Sequence, residues 1–539
     1  MTDESKNEDI KAGSNEPVGK EHEAYRYRKE LGTWSVVFLA VGAILGSAIA
    51  YAPVYTVAYA GPSGIIAWIV AMLMIIPVGL VYAELGTAWP KAGGVAHYPS
   101  RSNGPLVGAV SGWASFVGYL LVAPVTVFAV VEYASFYFPS LYPNGLLSTT
   151  GIIVAEIVLL AIFGVNLLRI RHMGFINNLL TIVTVALIAI LVIGLLFFFK
   201  GSNFASPSYG GFAPYGAIGF FSAITITIFG YAGFRQPIDY AEEVKDPGKS
   251  IPRAIVLSII ISGIIYILLA FAFVASVNFR LFKVNSWSSF LTFGAPYATE
   301  AQVLGLSALI IVSIVVALIA TFRDGIIYYG GGARVGHVLA REDKYLPEWL
   351  AHLSSKGVPK YSAILMLVIS IVLVALGRSL ATIVGVLVDG FLISYLPGPI
   401  SLAIFRKTAP NANRPYKLPA ASILAPIAFI VTSLMVYWSG FSAIMYIVPL
   451  DLAGVLLILF YNMRTKVDVK GYLYGIFFPI YLVFVLIFSY FTQGAFSSGN
   501  LSLIMIDNFI YILASLVFYY VGVYSGVKGS KYYKGILDK

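Results

Sequence analysis

Fourteen long apolar runs govern what this chain can fold into. In hydrocarbon, an unpartnered backbone N–H or C=O costs several kcal/mol, so a run of about 20 apolar residues must form a helix that satisfies its own backbone. The first ten runs cover Trp34–Tyr59, Ser63–Trp89, Pro105–Phe138, Thr149–Leu168, Phe175–Phe199, Tyr215–Tyr240, Ile251–Val277, Gln302–Val335, Tyr361–Leu376 and Leu380–Phe405. Four more follow at Ile423–Ala443, Ile447–Met463, Gly471–Thr492 and Ile504–Val527. With 59% hydrophobic residues, 11% charged and a mean hydropathy of +0.86, the chain reads as an all-α polytopic membrane protein.

Lys and Arg collect in cytoplasmic loops, and here they sort cleanly. With the N-terminus inside, only Lys200, Arg280, Lys283 and Arg378 of the 35 basic residues fall on the far side, and, with Arg253 and Arg334 counted at the cytoplasmic ends of their spans, only Arg235 and Arg323 fall deeper within spans. Both termini are therefore expected in the cytoplasm of a multi-pass protein of the cell membrane. The net charge of +10 is then a topology signal, and no basic, aromatic-interleaved domain suggests nucleic acid as a partner. Residues 1–30 mix acids and bases with Gly, Ser and Asn and are expected to form a disordered tail. They lack the layout of a signal peptide. The chain has no cysteine, and its five histidines show no helical pair at ligand spacing, so neither a metal nor a cofactor is expected.

The first span starts inside and the sixth starts outside, so two five-helix blocks would have opposite orientations: an inverted repeat. Each block opens with a helix interrupted by glycines, at Gly42-Ala-Ile-Leu-Gly46-Ser-Ala48 and at Phe229-Gly-Tyr-Ala-Gly233-Phe234. Broken helices in matching positions point to a midplane binding site between the repeats. Gly42 and Gly46 also have the small-xxx-small spacing of a close-packing face, and that reading stays open.

Several longer motifs carry a family resemblance. They are Gly61-Pro-Ser-Gly64, Tyr82-Ala-Glu-Leu-Gly86, Trp89-Pro-Lys-Ala-Gly-Gly94, Ala241-Glu-Glu-Val-Lys-Asp-Pro247, Ile251-Pro-Arg-Ala254 and Leu339-Ala-Arg341 with Leu346-Pro347. Together these resemble the amino acid–polyamine–organocation (APC) permeases over roughly Leu31 to Pro419. The resemblance implies the LeuT-like inverted five-helix repeat, with the first and sixth helices discontinuous, working by alternating access on an amino acid. It divides the chain into a core at 31–410, with repeats at about 31–200 and 212–407, four additional helices at 418–527 and a cytoplasmic tail at 528–539. It also implies that Gly46, Ser47 and Ala48 meet the substrate carboxylate, and that the carbonyls of Ile44, Phe229 and Ala232 meet its ammonium. Gly230 and Gly233 give the second break its room, and the Phe229 side chain closes over the solute. The physics agrees, because frayed N–H groups suit an anion and orphan carbonyls suit a cation.

Three departures from that family pattern bear on coupling. Ala48 stands where glycine is usual. Arg235 stands where an acid is common, and because it stays charged it needs a partner, water or an anionic substrate group. Thr184 stands where some proton-coupled relatives keep a lysine. In the eighth span Thr321-Phe-Arg323-Asp324 places charge at membrane depth, which marks a site by default. Asp324 has three open roles: a proton carrier, a Na⁺ ligand with the Thr321 hydroxyl and first-span carbonyls, or a structural brace to Arg323 or Arg235. Trp113 and Tyr119 are expected to line a mostly apolar pocket suited to a neutral solute, and Asp389 to line an outer vestibule.

A secondary transporter is the function these features suggest, with proton-coupled symport of a neutral amino acid first. An exchanger or a sodium symporter is the alternative. A channel is more remote, since no charged ring or re-entrant filter is present, and no nucleotide motif or catalytic cluster suggests an enzyme. The expected partners are an amino acid, H⁺ or Na⁺, and the lipid bilayer.

Overall fold

A computed structural model describes residues 26–377, 389–464, 469–494 and 500–532. The expected tails therefore lie outside the described residues except for 26–30 and 528–532, as does the start of the tenth run at 380–388. Among the described residues the protein is helical, and its one β-contact is an isolated bridge between Leu31 and Val244.

The first apolar run does not form one helix. It gives α1 (Thr33–Ile44), a short 3-10 turn at Ser47–Ala50, and α2 (Ala52–Ala60). Gly61 stops α2 at φ +64, a left-handed conformation that glycine adopts without strain, and Pro62 follows. Next come α3 (Gly64–Ala88), α4 (Gly94–Ser102), α5 (Pro105–Ala134), α6 (Thr149–Asn166) and α7 (Ile170–Leu196). The sixth run is also broken. α8 (Gly216–Tyr231) passes into a 3-10 turn at Ala232–Arg235 and one further turn at Gln236–Asp239, where Pro237 has no N–H to offer the preceding turn.

The rest of the bundle is α9 (Pro247–Ser276), α10 (Ser307–Arg341), α11 (Lys360–Leu376), α12 (Pro397–Thr408), α13 (Ala421–Trp438), α14 (Phe441–Leu452), α15 (Leu457–Arg464), α16 (Phe477–Ser489) and α17 (Leu501–Gly529). Eleven helical stretches among the described residues are long and apolar enough to cross a membrane, with Ala52–Ala88 counted as one; α1 and α11 are apolar but shorter. The protein is therefore an integral membrane protein. Eleven falls short of the fourteen runs because the first is broken, the ninth is short and the tenth is only partly described.

α10 packs along α5 and α7, while α9 lies against α3 and α1, so these helices surround the two breaks. The outer faces of α6, α7 and α17 expose Ile153, Ile157, Ile182, Ile193 and Val517, as helices that meet lipid do. α13 rests on α3, and α17 rests on α12. Ion pairs cluster at one end of the bundle: Arg406 grips Glu84 at 2.5 Å, Arg334 grips Glu243 at 2.6 Å, and Lys91 reaches Glu342 at 3.2 Å.

Candidate substrate site

Where α1 stops, its last carbonyls lose their helical donors. In a continuous helix the Gly42 and Leu45 carbonyls would accept from residues 46 and 49. Here Nη2 of Arg323 on α10 donates to both, at 3.1 Å and 2.6 Å. A fully buried guanidinium thus sits on the freed C-terminal end of a half-helix, where a cation is favoured.

On the other side of the break the polarity reverses. The Ser47 N–H donates to Oδ2 of Asp324 at 3.3 Å. The carboxyl lies so close that a Cβ on Gly46 would overlap it. Tyr133 on α5 donates its hydroxyl to the Ser47 carbonyl at 2.9 Å, and Tyr266 on α9 donates to the Ile44 carbonyl at 2.6 Å. Arg323 and Asp324, adjacent in sequence, therefore address opposite halves of the break.

These groups line a small, partly open cavity beside the first break. Its wall is Ala43, Ile44, Gly46, Ser47 and Ala48 from the first break, Val122, Val125 and Thr126 from α5, Ala232 from the second break, Asp324 and Tyr328 from α10, and Phe391. An apolar wall with a few polar groups is how small-molecule sites are built. Among the described residues, Oδ1 of Asp324 and the Thr126 hydroxyl have no hydrogen-bond partner.

Arg235 does not face this cavity. Asp239, one turn on, grips it through Nε at 2.6 Å and Nη2 at 3.2 Å. Ser115 also accepts from Nη2 and Ser394 from Nη1, and the Arg235 Cζ lies 4.8 Å from the centre of the Tyr119 ring. Tyr119 also donates to Asp239 at 2.5 Å. The expected brace from Arg235 to Asp324 is thus replaced by a local pair four residues apart. Arg323 likewise turns Nη2 to the α1 carbonyls, while its Nε and Nη1 have no hydrogen-bond partner among the described residues, so it makes no hydrogen bond to Asp324.

The other expected site residues divide. Ile44, Gly46, Ser47, Ala48 and Ala232 line the cavity, although the Ala232 carbonyl already accepts from Tyr395 at 2.9 Å. Gly233 serves a close helix crossing: a Cβ there would stand 2.5 Å from the backbone of Ala43 and Ile44. Gly230 likewise makes room for the Trp68 ring, 2.7 Å from a would-be Cβ. The Phe229 side chain lies outside the described residues. Thr184 is buried and bonds the Leu180 carbonyl at 2.7 Å, while the buried Thr321 hydroxyl has no partner among the described residues.

Trp113 and Tyr119 are absent from the cavity wall. The Trp113 indole instead donates to the Leu450 carbonyl of α14, and Tyr119 faces Arg235. Asp389 accepts from Ser439 at the end of α13, so it faces the additional helices and not a vestibule. Sequence reasoning missed Thr126, Tyr133, Tyr266 and Asp239. Only the last had a local signal, the i, i+4 spacing of Arg235 and Asp239.

Residues 31–449 match the family model described as amino acid permease. A glutamate/serine transporter of Bacillus subtilis is 30% identical over 511 residues, covering 92% of this chain and 94% of the relative. An aspartate–proton symporter of the same organism is 31% identical over 517 residues, covering 93% and 97%. A serine/threonine exchanger, also of B. subtilis, is 27% identical over 423 residues, covering 76% and 91%.

Proposed function

The chain belongs to the amino acid permease family, and from that premise we propose that it carries a neutral amino acid into the cell by proton-coupled symport. Transport runs by alternating access in an inverted-repeat core at 31–410, within a fourteen-span protein whose termini are both cytoplasmic. The substrate carboxylate takes the N–H groups of Ser47 and Ala48, and its ammonium takes carbonyls at the Ile44 and Phe229–Ala232 ends. Gly46 keeps that approach open.

The placement of Arg323 carries the choice of coupling ion. A sodium ion bound at the α1 break would need the carbonyls of Gly42 and Leu45, and the guanidinium already holds both. A tethered cation there favours H⁺ over Na⁺, with Asp324 as the group that takes the proton. Arg235 is neutralised by Asp239 outside the cavity, which favours a substrate without a side-chain charge. A second reading, an acidic amino acid, draws on the glutamate and aspartate in the names of two relatives.

The test is uptake of radiolabelled serine, leucine, aspartate and glutamate into proteoliposomes under an imposed proton or sodium gradient, with Gly230→Trp as the inactive control. Proton-driven uptake of serine or leucine is expected. Sodium-driven uptake would overturn the coupling, uptake needing only internal substrate would make the protein an exchanger, and preference for aspartate or glutamate would favour the second reading.

A further inference from the structure

We infer that the Asp324 carboxylate is a tethered stand-in for the substrate's own α-carboxylate, so that an amino acid can occupy the site only when Asp324 gives up the Ser47 N–H and takes a proton. This rests on the reading of that N–H as the carboxylate seat.

Three observations converge on it. Oδ2 of Asp324 already accepts from the Ser47 N–H, at 3.3 Å. The absence of a side chain at Gly46 is what lets the carboxyl reach the break, since a Cβ there would overlap it. The other oxygen, Oδ1, has no partner among the described residues although the side chain is buried, and it lines the same cavity as the unpartnered Thr126 hydroxyl. The Ser47 N–H contact is long, so the carboxyl can leave it at little cost.

Two carboxylates confined to one buried seat cannot both remain ionised, as paired acids elsewhere demonstrate. When the substrate carboxylate arrives, the cheaper state has Asp324 protonated. Its new O–H then becomes a donor that the Thr126 oxygen or the substrate carboxylate can accept. The only bond formed is that O–H, drawn from solvent: Asp324–COO⁻, H⁺ and the zwitterion become Asp324–COOH with the zwitterion bound. One proton, and hence one positive charge, enters per neutral amino acid.

Among the described residues, the charged and titratable groups that face Asp324 are an arginine and tyrosines, none of which is a base that would take that proton instead. Arg323, its neighbour on α10, is engaged with the α1 carbonyls, and Tyr328 lies one turn on. Tyr51 faces it from beyond the first break and Tyr266 from α9, while Tyr133 of α5 is bonded to the Ser47 carbonyl. α6 and α5 meet this stretch of α10 at Gly325 through Ile162 and Thr126.

The experiment measures proton uptake on ligand binding by the full-length protein in weakly buffered detergent, together with Kd against pH. The probes are L-serine, L-leucine and L-aspartate, each beside its α-amide, which has no α-carboxylate. Expected results are uptake of about one proton per amino acid and a Kd that rises up to tenfold per pH unit on the alkaline limb. The amides should take up none, and binding to Asp324→Asn should be flat with pH. Binding without proton uptake would overturn the inference, as would affinity that improves with rising pH, because Asp324 would then be holding the ammonium. If Asp324→Asn does not fold, the acid–amide comparison on the natural protein decides alone. Failure of all three amino acids to bind would instead defeat the functional reading on which the inference stands.

Discussion

Neutralising Asp239 should unfold this protein far more readily than removing both members of its ion pair. Arg235 and Asp239 are fully buried and joined by two hydrogen bonds, at 2.6 Å and 3.2 Å. Asp239→Asn leaves the guanidinium with the hydroxyls of Ser115 and Ser394 and nearby rings but no counter-charge. Removing one partner of such a pair costs about 3–5 kcal/mol, because the remaining charge stays buried and uncompensated. Arg235→Met should cost a similar amount, since Asp239 would keep only the Tyr119 hydroxyl. Replacing both, as Arg235→Met with Asp239→Asn, removes the desolvation penalty with the charges, so the double variant should lie within about 2 kcal/mol of the natural protein. The two single costs would sum to roughly 6 kcal/mol or more, so the cycle should show a coupling of about 4 kcal/mol. Equilibrium unfolding in mixed micelles of graded SDS content, followed by tryptophan fluorescence, measures all four proteins. Additive costs, or an Asp239→Asn variant within about 1 kcal/mol of the natural protein, would refute the reasoning. A gain or loss of aspartate uptake in Asp239→Asn, with stability unchanged, would mean that Arg235 serves the substrate after all.

Three further outcomes are expected. Gly233→Ala places a methyl 2.5 Å from the backbone of Ala43 and Ile44 and should cost about 3 kcal/mol and abolish uptake, read from unfolding curves and proteoliposome transport. Ser47→Ala should keep uptake within about threefold because the donor is a backbone N–H, whereas Gly46→Ala should lose it because the new methyl collides with Asp324. At the charged end of the bundle, burial alone would raise the Glu342 carboxyl, but Lys91, His97 and Arg341 outweigh it and hold the group below its ordinary range. That stabilisation is present above the usual carboxylate pKa and is lost as pH falls through the depressed value. The stability gap between the natural protein and Lys91→Met should therefore be at most about 1 kcal/mol, the contact being partly exposed, and should close below about pH 4 in acid-unfolding curves.

The breaks in the first and sixth runs were legible because helix-weakening glycines are local features, and α1 does end at Ile44, between Gly42 and Gly46. The partners at those breaks were not legible. Arg235 and Asp324 looked like a brace when only their types and depths were known, yet their side chains point to different neighbours, and the i, i+4 spacing to Asp239 was a better guide than the rarity of intramembrane charge. Trp113 illustrates the opposite error. Its aromatic side chain suited a pocket, but the face of α5 that carries it is covered by α14.

Length and apolarity by themselves determined that the chain is helical and lies in a membrane, because in hydrocarbon a backbone has so few ways to satisfy its polar groups. Motif order also determined the family. Only the tertiary structure decided that Arg323 would hold the Gly42 and Leu45 carbonyls, that Asp324 would cap the Ser47 N–H, and that Gly233 would mark a crossing and not a cavity wall. Those outcomes depend on how α10, α1 and the second break are rotated and set against one another. Such rotation comes from packing between segments some 190 to 280 residues apart in the chain, which no local pattern of residues encodes.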